Sequence, residues 1–304
     1  METQMHKNKN GQINVILKNE EKIYREKENK VHYIKNSPFK QIDRQFSSFV
    51  ALDQLKKTVK EIYATHVINQ KRKQYGLTNT RQVLHMLFKG NPGTGKTSAA
   101  RQLAQIYYEL NVLSKGHFIE AERADLVGEY IGQTAQKTRS MIQKAMGGIL
   151  FVDEAYSLAR GGEKDFGKEA IDTLVKQMED HQNDFVLILA GYPKEMDRFL
   201  SLNPGLKSRF PFILDFDDYS VEQLIKIANQ MAVEREFRLT NKAQEAFRIH
   251  LYKKTRESIA NFSNARYVRN IIEKAIRMQA VRLLHQHEHS LDDLMFLIEE
   301  DLKL

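Results

Sequence analysis

The sequence predicts an α/β fold, a parallel sheet covered by helices, followed by a smaller all-helical C-terminal domain. Short apolar runs alternate with helix-like segments between His85 and Phe216. The two longest runs, Gly147-Gly-Ile-Leu-Phe-Val152 and Phe185-Val-Leu-Ile-Leu-Ala190, lack the polar alternation of a half-solvated strand, and from Ser220 onward only helical periodicity remains. Continuous apolar strands fit a sheet buried on both faces, which crossover helices produce.

In chain order, residues 1–45 are polar and basic and read as a mobile arm or adaptor, with one alternating run, Gln12-Ile-Asn-Val-Ile-Leu17, that suits a strand without an evident partner. From Phe46 the pattern turns helical, with Leu52, Leu55, Val59, Ile62 and Tyr63 at spacings of three and four. Strands are expected at 85–88, 117–121, 149–153, 185–190 and 212–216, and helices at 97–110, 134–146 and 166–178. The last of these helices gathers Ala170, Ile171, Leu174, Val175 and Met178 on one face, the stripe needed to lie on a sheet. Strand signals stop near Phe216. Ser220-Val-Glu-Gln223 reads as a capping box that opens the helical domain, with helices expected at 222–237, 241–259, 265–284 and 291–302. The α/β domain is thus read as 46–218 and the helical one as 219–304.

Composition narrows the class. Hydrophobic residues at 41% and charged residues at 28% describe a globular chain that can bury a core. The absence of cysteine excludes disulfides, thiolate nucleophiles and cysteine-ligated zinc. No apolar run approaches the roughly 20 residues of a membrane span, and the start Met-Glu-Thr-Gln-Met-His-Lys lacks an apolar signal region, so a cytoplasmic location is expected. The net charge of +8 is spread among interspersed acids and bases, which argues against a nucleic-acid track. His285-Gln-His-Glu-His289 reads as a solvated turn, since no fourth metal ligand is evident.

The chemistry concentrates at Gly90-Asn-Pro-Gly-Thr-Gly-Lys-Thr97, which fits G-x-x-x-x-G-K-[ST] at every fixed position, between a strand-like run and a helix-like one. A simple Gly/Pro connecting turn is the plainer alternative. In the phosphate-binding reading, Gly90, Asn91, Pro92, Gly93, Thr94, Gly95, Lys96, Thr97 and Ser98 hold the phosphates of ATP at a helix N-terminus, Lys96 reaches the β- and γ-phosphates, and Thr97 ligates Mg²⁺. Ile149-Leu-Phe-Val-Asp-Glu154 then places two carboxylates at the end of a buried strand, where a charge is costly unless it serves a metal or substrate. Asp153 is expected to complete the Mg²⁺ shell and Glu154 to act as general base toward the attacking water. An acidic helix cap is the structural alternative.

These two motifs, followed by a helical domain, resemble the AAA+ ATPases, and 120–132, 151–162 and 202–210 resemble the branch shared by the red-type Rubisco activases and a sporulation protein of bacilli. The resemblance covers about 46–284. It implies ATP and Mg²⁺ as cofactors, a hexameric ring, a protein substrate and a place in spore formation. It also implies that Arg209 is an arginine finger inserted into the neighbouring subunit's site, that Arg266 is a sensor of the γ-phosphate with Arg269 one turn away, and that Tyr130, Ile131 and Gly132 form a pore loop, with 159–164 as a second one. Two departures stand out: the fourth strand ends in Ala190-Gly-Tyr192 rather than in the usual Asn, and Val50-Ala-Leu-Asp53 lacks the glycine common near the adenine pocket. A nucleic-acid motor using the same ATP site and a nucleotide-gated scaffold remain the alternative functions.

Overall fold

The computed structural model describes residues 2–7, 13–18, 38–78, 82–160, 165–202, 204–257, 262–285 and 288–304. The chain divides into two compact units, Met1–Arg44 and Gln45–Leu304. In the first, strands β1 (Glu2–Lys7) and β2 (Ile13–Lys18) pair antiparallel, Glu2 opposite Lys18 and Lys7 opposite Ile13. The strand expected at 12–17 therefore has a partner. Sequence reading missed it because ladder hydrogen bonds are made by the backbone, and Glu-Thr-Gln-Met-His-Lys carries no strong apolar alternation. The rest of the expected arm lies largely outside the described residues.

Helix α1 (Pro38–Gln45) ends at the junction of the units, and α2 (Asp53–Gln74) follows. Residues 46–52, expected to be helical, form turns in which Ala51 has φ 57° and Phe46, Val50 and Leu52 are buried. The apolar spacing there serves a packed turn.

The sheet has the order β4-β5-β6-β3-β7 and is parallel throughout: β3 (Met86–Gly90), β4 (Phe118–Ala121), β5 (Ile149–Val152), β6 (Val186–Gly191) and β7 (Phe212–Phe216). Every residue of β5 and β6 is buried, as expected for strands covered on both faces. The covering helices are α3 (Lys96–Glu109), α4 (Arg123–Leu126), α5 (Gln133–Ala145), α6 (Gly167–Asp180), α7 (Pro193–Leu202) and α8 (Pro204–Lys207). Helix α6 buries Ala170, Ile171, Leu174 and Met178 of the expected stripe, with Val175 partly buried against the same core, while α4, α7 and α8 were not anticipated. A parallel sheet places all five strand C-termini along one edge, and the loops leaving β3, β5 and β6 meet there.

The C-terminal domain holds α9 (Val221–Val233), α10 (Asn241–Glu257), α11 (Asn264–Leu284), α12 (Leu291–Met295) and α13 (Glu299–Leu302). Its opening is the expected capping box, with the Ser220 N–H on the Gln223 side chain and the Gln223 N–H on the Ser220 hydroxyl. One expectation fails: 291–302 is not a single helix. Phe296–Leu297 is a short strand, β9, paired in parallel with β8 (Arg238–Leu239), and Leu297 is fully buried. The uninterrupted apolar run Leu294-Met-Phe-Leu-Ile298 marks no helical face, so tertiary pairing decides its conformation. Buried Gln279 fixes the break by donating to the carbonyls of Asp293, Leu294 and Phe296. None of the described helices is long and apolar enough to cross a membrane.

His85, just before β3, is buried, and its Nδ1 accepts the Leu187 N–H at 3.0 Å, tying β3 to β6. Burial pushes the imidazole down to about 4 from 6.5. Because the folded value is the lower one, the stability is fully present above about pH 6.5 and is lost as pH falls toward 4, by on the order of 3 kcal/mol. His85→Gln keeps an acceptor without titrating. Urea unfolding at pH 7 and pH 4 is expected to show the wild type losing more stability than this variant over that interval; equal losses would remove His85 from the acid sensitivity.

Candidate nucleotide site

The turn leaving β3 wraps around its own lysine. Lys96 is nearly buried, and its Nζ donates to the carbonyls of Gly90 at 2.7 Å and Asn91 at 2.9 Å, while the Thr94 hydroxyl donates to the Asn91 carbonyl. Burial lowers the Lys96 ammonium to about 8, against an upward pull led by Asp153. Gly95 caps α3 with φ 92°, which aims the helix's first free N–H groups into the turn.

Asp153 and Glu154 follow β5 directly. The Asp153 N–H bonds to the Ala121 carbonyl, and its carboxylate accepts the Glu154 N–H at 2.9 Å. Glu154 sits at φ 46° and ψ 43°, a left-handed conformation that costs a glutamate about 1–2 kcal/mol. Strain of this kind persists where the surroundings over-determine it, often at functional sites.

One cleft brings together Pro92, Gly93, Gly95, Lys96, Thr97, Ser98, Asp153, Glu154 and Arg266, all expected site residues. Gly90, Asn91 and Thr94 support the turn rather than line the cleft. Tyr192 lines it from the end of β6, its hydroxyl pushed upward by burial and then by the Glu154 charge, and its ring lies 5.7 Å from that of Tyr156. Arg269 lines the cleft beside Arg266. Ser48, Phe49, Val50, Ile227 and Met231 also line the cleft. Of these, only Val50 had been singled out, because an apolar wall carries no spacing signature.

The lid closes this cleft through contacts that sequence reading missed. The buried Asn264, at φ 48°, donates its amide to Asp218 at 2.7 Å and to the Pro92 carbonyl at 3.3 Å, and accepts the Tyr219 N–H at 3.0 Å. Asp218 also takes the Asn91 amide, the Tyr219 hydroxyl donates to the Thr94 carbonyl, and the Ala265 N–H reaches the Gly93 carbonyl. Gly93 has φ 72°, and a Cβ there would meet the Ser263 carbonyl oxygen at 2.1 Å.

The remaining expected residues lie elsewhere. Tyr130 is 68% and Ile131 88% exposed, at the tip of the loop between α4 and α5. The base of that loop is tight: the Gly128 N–H bonds the Thr134 hydroxyl, and a Cβ on Gly128 would meet that of Gln133 at 2.5 Å. Arg123 of α4 donates to the Ser157 carbonyl at 2.7 Å, in the 3₁₀ turn Ala155–Ala159 behind Glu154, and to Asp165 at 2.5 Å. Part of the second expected loop, 161–164, lies outside the described residues. Arg209 pairs with Glu179 ahead of β7, at the opposite end of the strands from the cleft. A five-residue strand spans about 16 Å, beyond an arginine's reach to its own cleft.

Residues 86–218 match the ATPase family associated with various cellular activities (AAA), and residues 220–304 match the AAA lid domain. The chain belongs to the AAA family. It is 55% identical over 304 residues to stage V sporulation protein K of Bacillus subtilis (strain 168), a match covering 97% of this chain and 94% of that protein. It is 44% identical over 235 residues to protein CfxQ of Xanthobacter flavus, covering 77% of this chain and 74% of that one. The chloroplastic ribulose bisphosphate carboxylase/oxygenase activase of Cyanidioschyzon merolae is 42% identical over 243 residues, covering 80% and 81%. Among solved structures, the RuvB Holliday junction branch migration motor of Thermotoga maritima matches with a TM-score of 0.53 at 20% identity over 84% of this chain and 68% of that one, a likeness of fold alone. The protein is an AAA+ ATPase of the type these sequence relatives share, and it hydrolyses ATP.

Gly93 and Gly76 both have positive φ, yet a Cβ on Gly76 meets nothing within 4 Å. Alanine at Gly76 is therefore expected to cost only the backbone strain of about 1–2 kcal/mol, whereas Gly93→Ala adds a clash with the lid turn. Thermal unfolding of the two variants is expected to show the larger drop for Gly93→Ala, together with faster limited proteolysis near Asp218; equal drops would mean that the lid turn yields freely.

Proposed function

We propose that this ATPase works as a cytoplasmic ring of identical subunits, six by family resemblance, that pulls on a partner protein, with residues 1–45 as an arm or adaptor, 46–218 as the motor and 219–304 as the lid. The observation that carries this reading is the Tyr130–Ile131 tip. Two adjacent large apolar side chains are held out to solvent on a loop whose base is tightly packed, which suits transient contact with extended polypeptide rather than a structural role. Arg123 joins the start of that loop to the turn behind Glu154, so a shift at the carboxylates has a direct mechanical route to Tyr130. The likeness to stage V sporulation protein K over nearly the whole chain supports a place in spore formation.

In the cleft, the turn amides and Lys96 bind the phosphates. Thr97 and Asp153, both hard oxygen donors on the cleft wall, fit Mg²⁺, which when bound neutralises charge on the β- and γ-phosphates. Glu154 takes a proton from water as its oxygen bonds to the γ-phosphorus. The bond to the β–γ bridging oxygen breaks, and ADP and phosphate leave. Tyr192 holds that water against Glu154, and Arg266 reads the γ-phosphate from the lid. Arg209, out of reach of its own cleft, completes the neighbour's.

Tyr130→Ala is expected to keep nucleotide affinity, basal hydrolysis and melting temperature while losing stimulation by unfolded protein. A matching fall in stability and basal rate would mean a packing role, and stimulation by DNA or RNA alone would replace the protein substrate with nucleic acid. Capture of partners on Glu154→Gln, which retains ATP without turnover, identifies the substrate.

Phosphate binding calls for the charged form of Lys96, which burial holds near 8 in the free protein. Nucleotide affinity is therefore expected to be level below pH 8 and to fall by up to about tenfold per unit above it, with a proton taken up on binding. Calorimetric titrations at pH 7 and pH 9, in two buffers of different ionisation enthalpy, measure both. Equal affinity and no proton uptake would contradict the assignment of Lys96.

A further inference from the structure

The turn behind Glu154 carries a large side chain that the hydrolysis scheme above leaves unused. Tyr156 is the second residue of the 3₁₀ turn Ala155–Ala159 and is only 5% exposed. Its ring is held from three sides. The Arg160 guanidinium lies over the ring, 4.7 Å from the centroid, and the Tyr192 ring stands 5.7 Å away at an interplanar angle of 31°. Gly191 closes the third side: a Cβ there would meet the Tyr156 Cδ1 at 2.7 Å and the Met196 Sδ at 2.8 Å. Gly191 is not among the glycines with positive φ, so close approach, and not backbone angle, is what requires glycine at this position. The strand end Ala190-Gly-Tyr192 is thus shaped around Tyr156.

The polar tip of that ring is unsatisfied. The Tyr156 hydroxyl is buried and has no closed hydrogen bond, a state that costs stability and is rare in folded proteins. The carboxylate it faces is that of Glu154, two residues back. Burial first, and then the Glu154 charge, push the hydroxyl upward against an opposing pull from Arg160, so it keeps its proton and can donate it in a hydrogen bond to a carboxylate. The backbone of Glu154 is fixed by the Asp153 carboxylate on its N–H and by the Ser157 N–H on its carbonyl at 2.7 Å. Only the side-chain torsions of Glu154 are then left to aim its carboxylate.

We propose that Tyr156 is the positioning residue of the general base: its hydroxyl donates to the Glu154 carboxylate during hydrolysis and turns it toward the water that Tyr192 holds. The inference rests on the roles given above to Glu154 and Tyr192. Two packed tyrosines thereby place the two partners of one proton transfer, Tyr192 the water and Tyr156 the carboxylate, and such transfers depend steeply on geometry. Tyr156 does not line the cleft, so it acts on the reaction only through Glu154.

The test is single-turnover ATP hydrolysis by the full chain with Mg²⁺, read beside nucleotide affinity and melting temperature. Tyr156→Phe keeps the packed ring and removes only the hydroxyl. It is expected to slow hydrolysis at least tenfold with affinity unchanged and melting temperature equal to or above that of the wild type, since an unpaired buried group is lost. Hydrolysis at the wild-type rate, or a slower rate accompanied by a lower melting temperature and weaker affinity, overturns the proposal. Gly191→Ala, which pushes on the same ring, is expected to slow hydrolysis in the wild-type background and to cost nothing further in Tyr156→Phe. An additive loss gives the effect of Gly191 to Tyr192 and overturns the route through Tyr156. Glu154→Gln separates this inference from the reading beneath it. Turnover surviving in Glu154→Gln defeats the base assignment itself, whereas an inactive Glu154→Gln beside a fully active Tyr156→Phe leaves the base in place and overturns the positioning role alone.

Discussion

The cleft of this ATPase depends on the seating of one lid turn on the phosphate loop. Ser263 to Arg266 rests on Gly93 so closely that no side chain fits between them, and the buried Asn264 amide spans Asp218 and the Pro92 carbonyl. Among the described residues no buried side-chain polar atom of this contact lacks a hydrogen-bond partner, as a buried junction requires, since an orphaned donor or acceptor costs about 1–3 kcal/mol. Because Asp218 also takes the Asn91 amide, the loop, the hinge and the lid share one carboxylate. Arg266 and Arg269 reach the cleft only because the turn that starts their helix is fixed there.

The same loop is preorganised by its own lysine. With Lys96 donating to two loop carbonyls, the cation and the turn hold each other in shape, and the energetic cost appears as a lowered ammonium pKa. Across the cleft, Glu154 is held in a left-handed conformation by the Asp153 carboxylate on its N–H and by the 3₁₀ turn that follows. A strained carboxylate and a desolvated cation facing one another form a site whose charges are placed before the substrate arrives, the condition under which electrostatic stabilisation is most effective.

Arg123 extends that arrangement outward. Its guanidinium bonds both the turn behind Glu154 and Asp165 ahead of α6, while its own short helix begins the Tyr130 loop. Three segments far apart in sequence thus converge on one side chain, and the exposed tip is free only beyond Gly128. In the proposed cycle this lets the carboxylates act on the loop through stiff parts rather than loose linkers.

The sequence by itself determined the parallel sheet and the places of its five strands along the chain, because buried strands must be continuously apolar and covering helices must carry a stripe. It also determined the phosphate loop and the acidic strand end, since backbone anion binding needs glycines, a lysine and a helix start at fixed spacing. These signals are local, so they survive in one dimension. What only the tertiary structure decided was non-local. Asp218 and Asn264 form a clamp across 46 positions, Phe49, Val50, Ile227 and Met231 gather from two domains into one wall, and Arg238–Leu239 draws Phe296–Leu297 out of an expected helix. Arg209 shows the limit most plainly: its motif is legible, but its distance from its own cleft follows only from which end of β7 it occupies. Each of these depends on pairing between distant segments, where the energy comes from contacts that no spacing along the chain encodes.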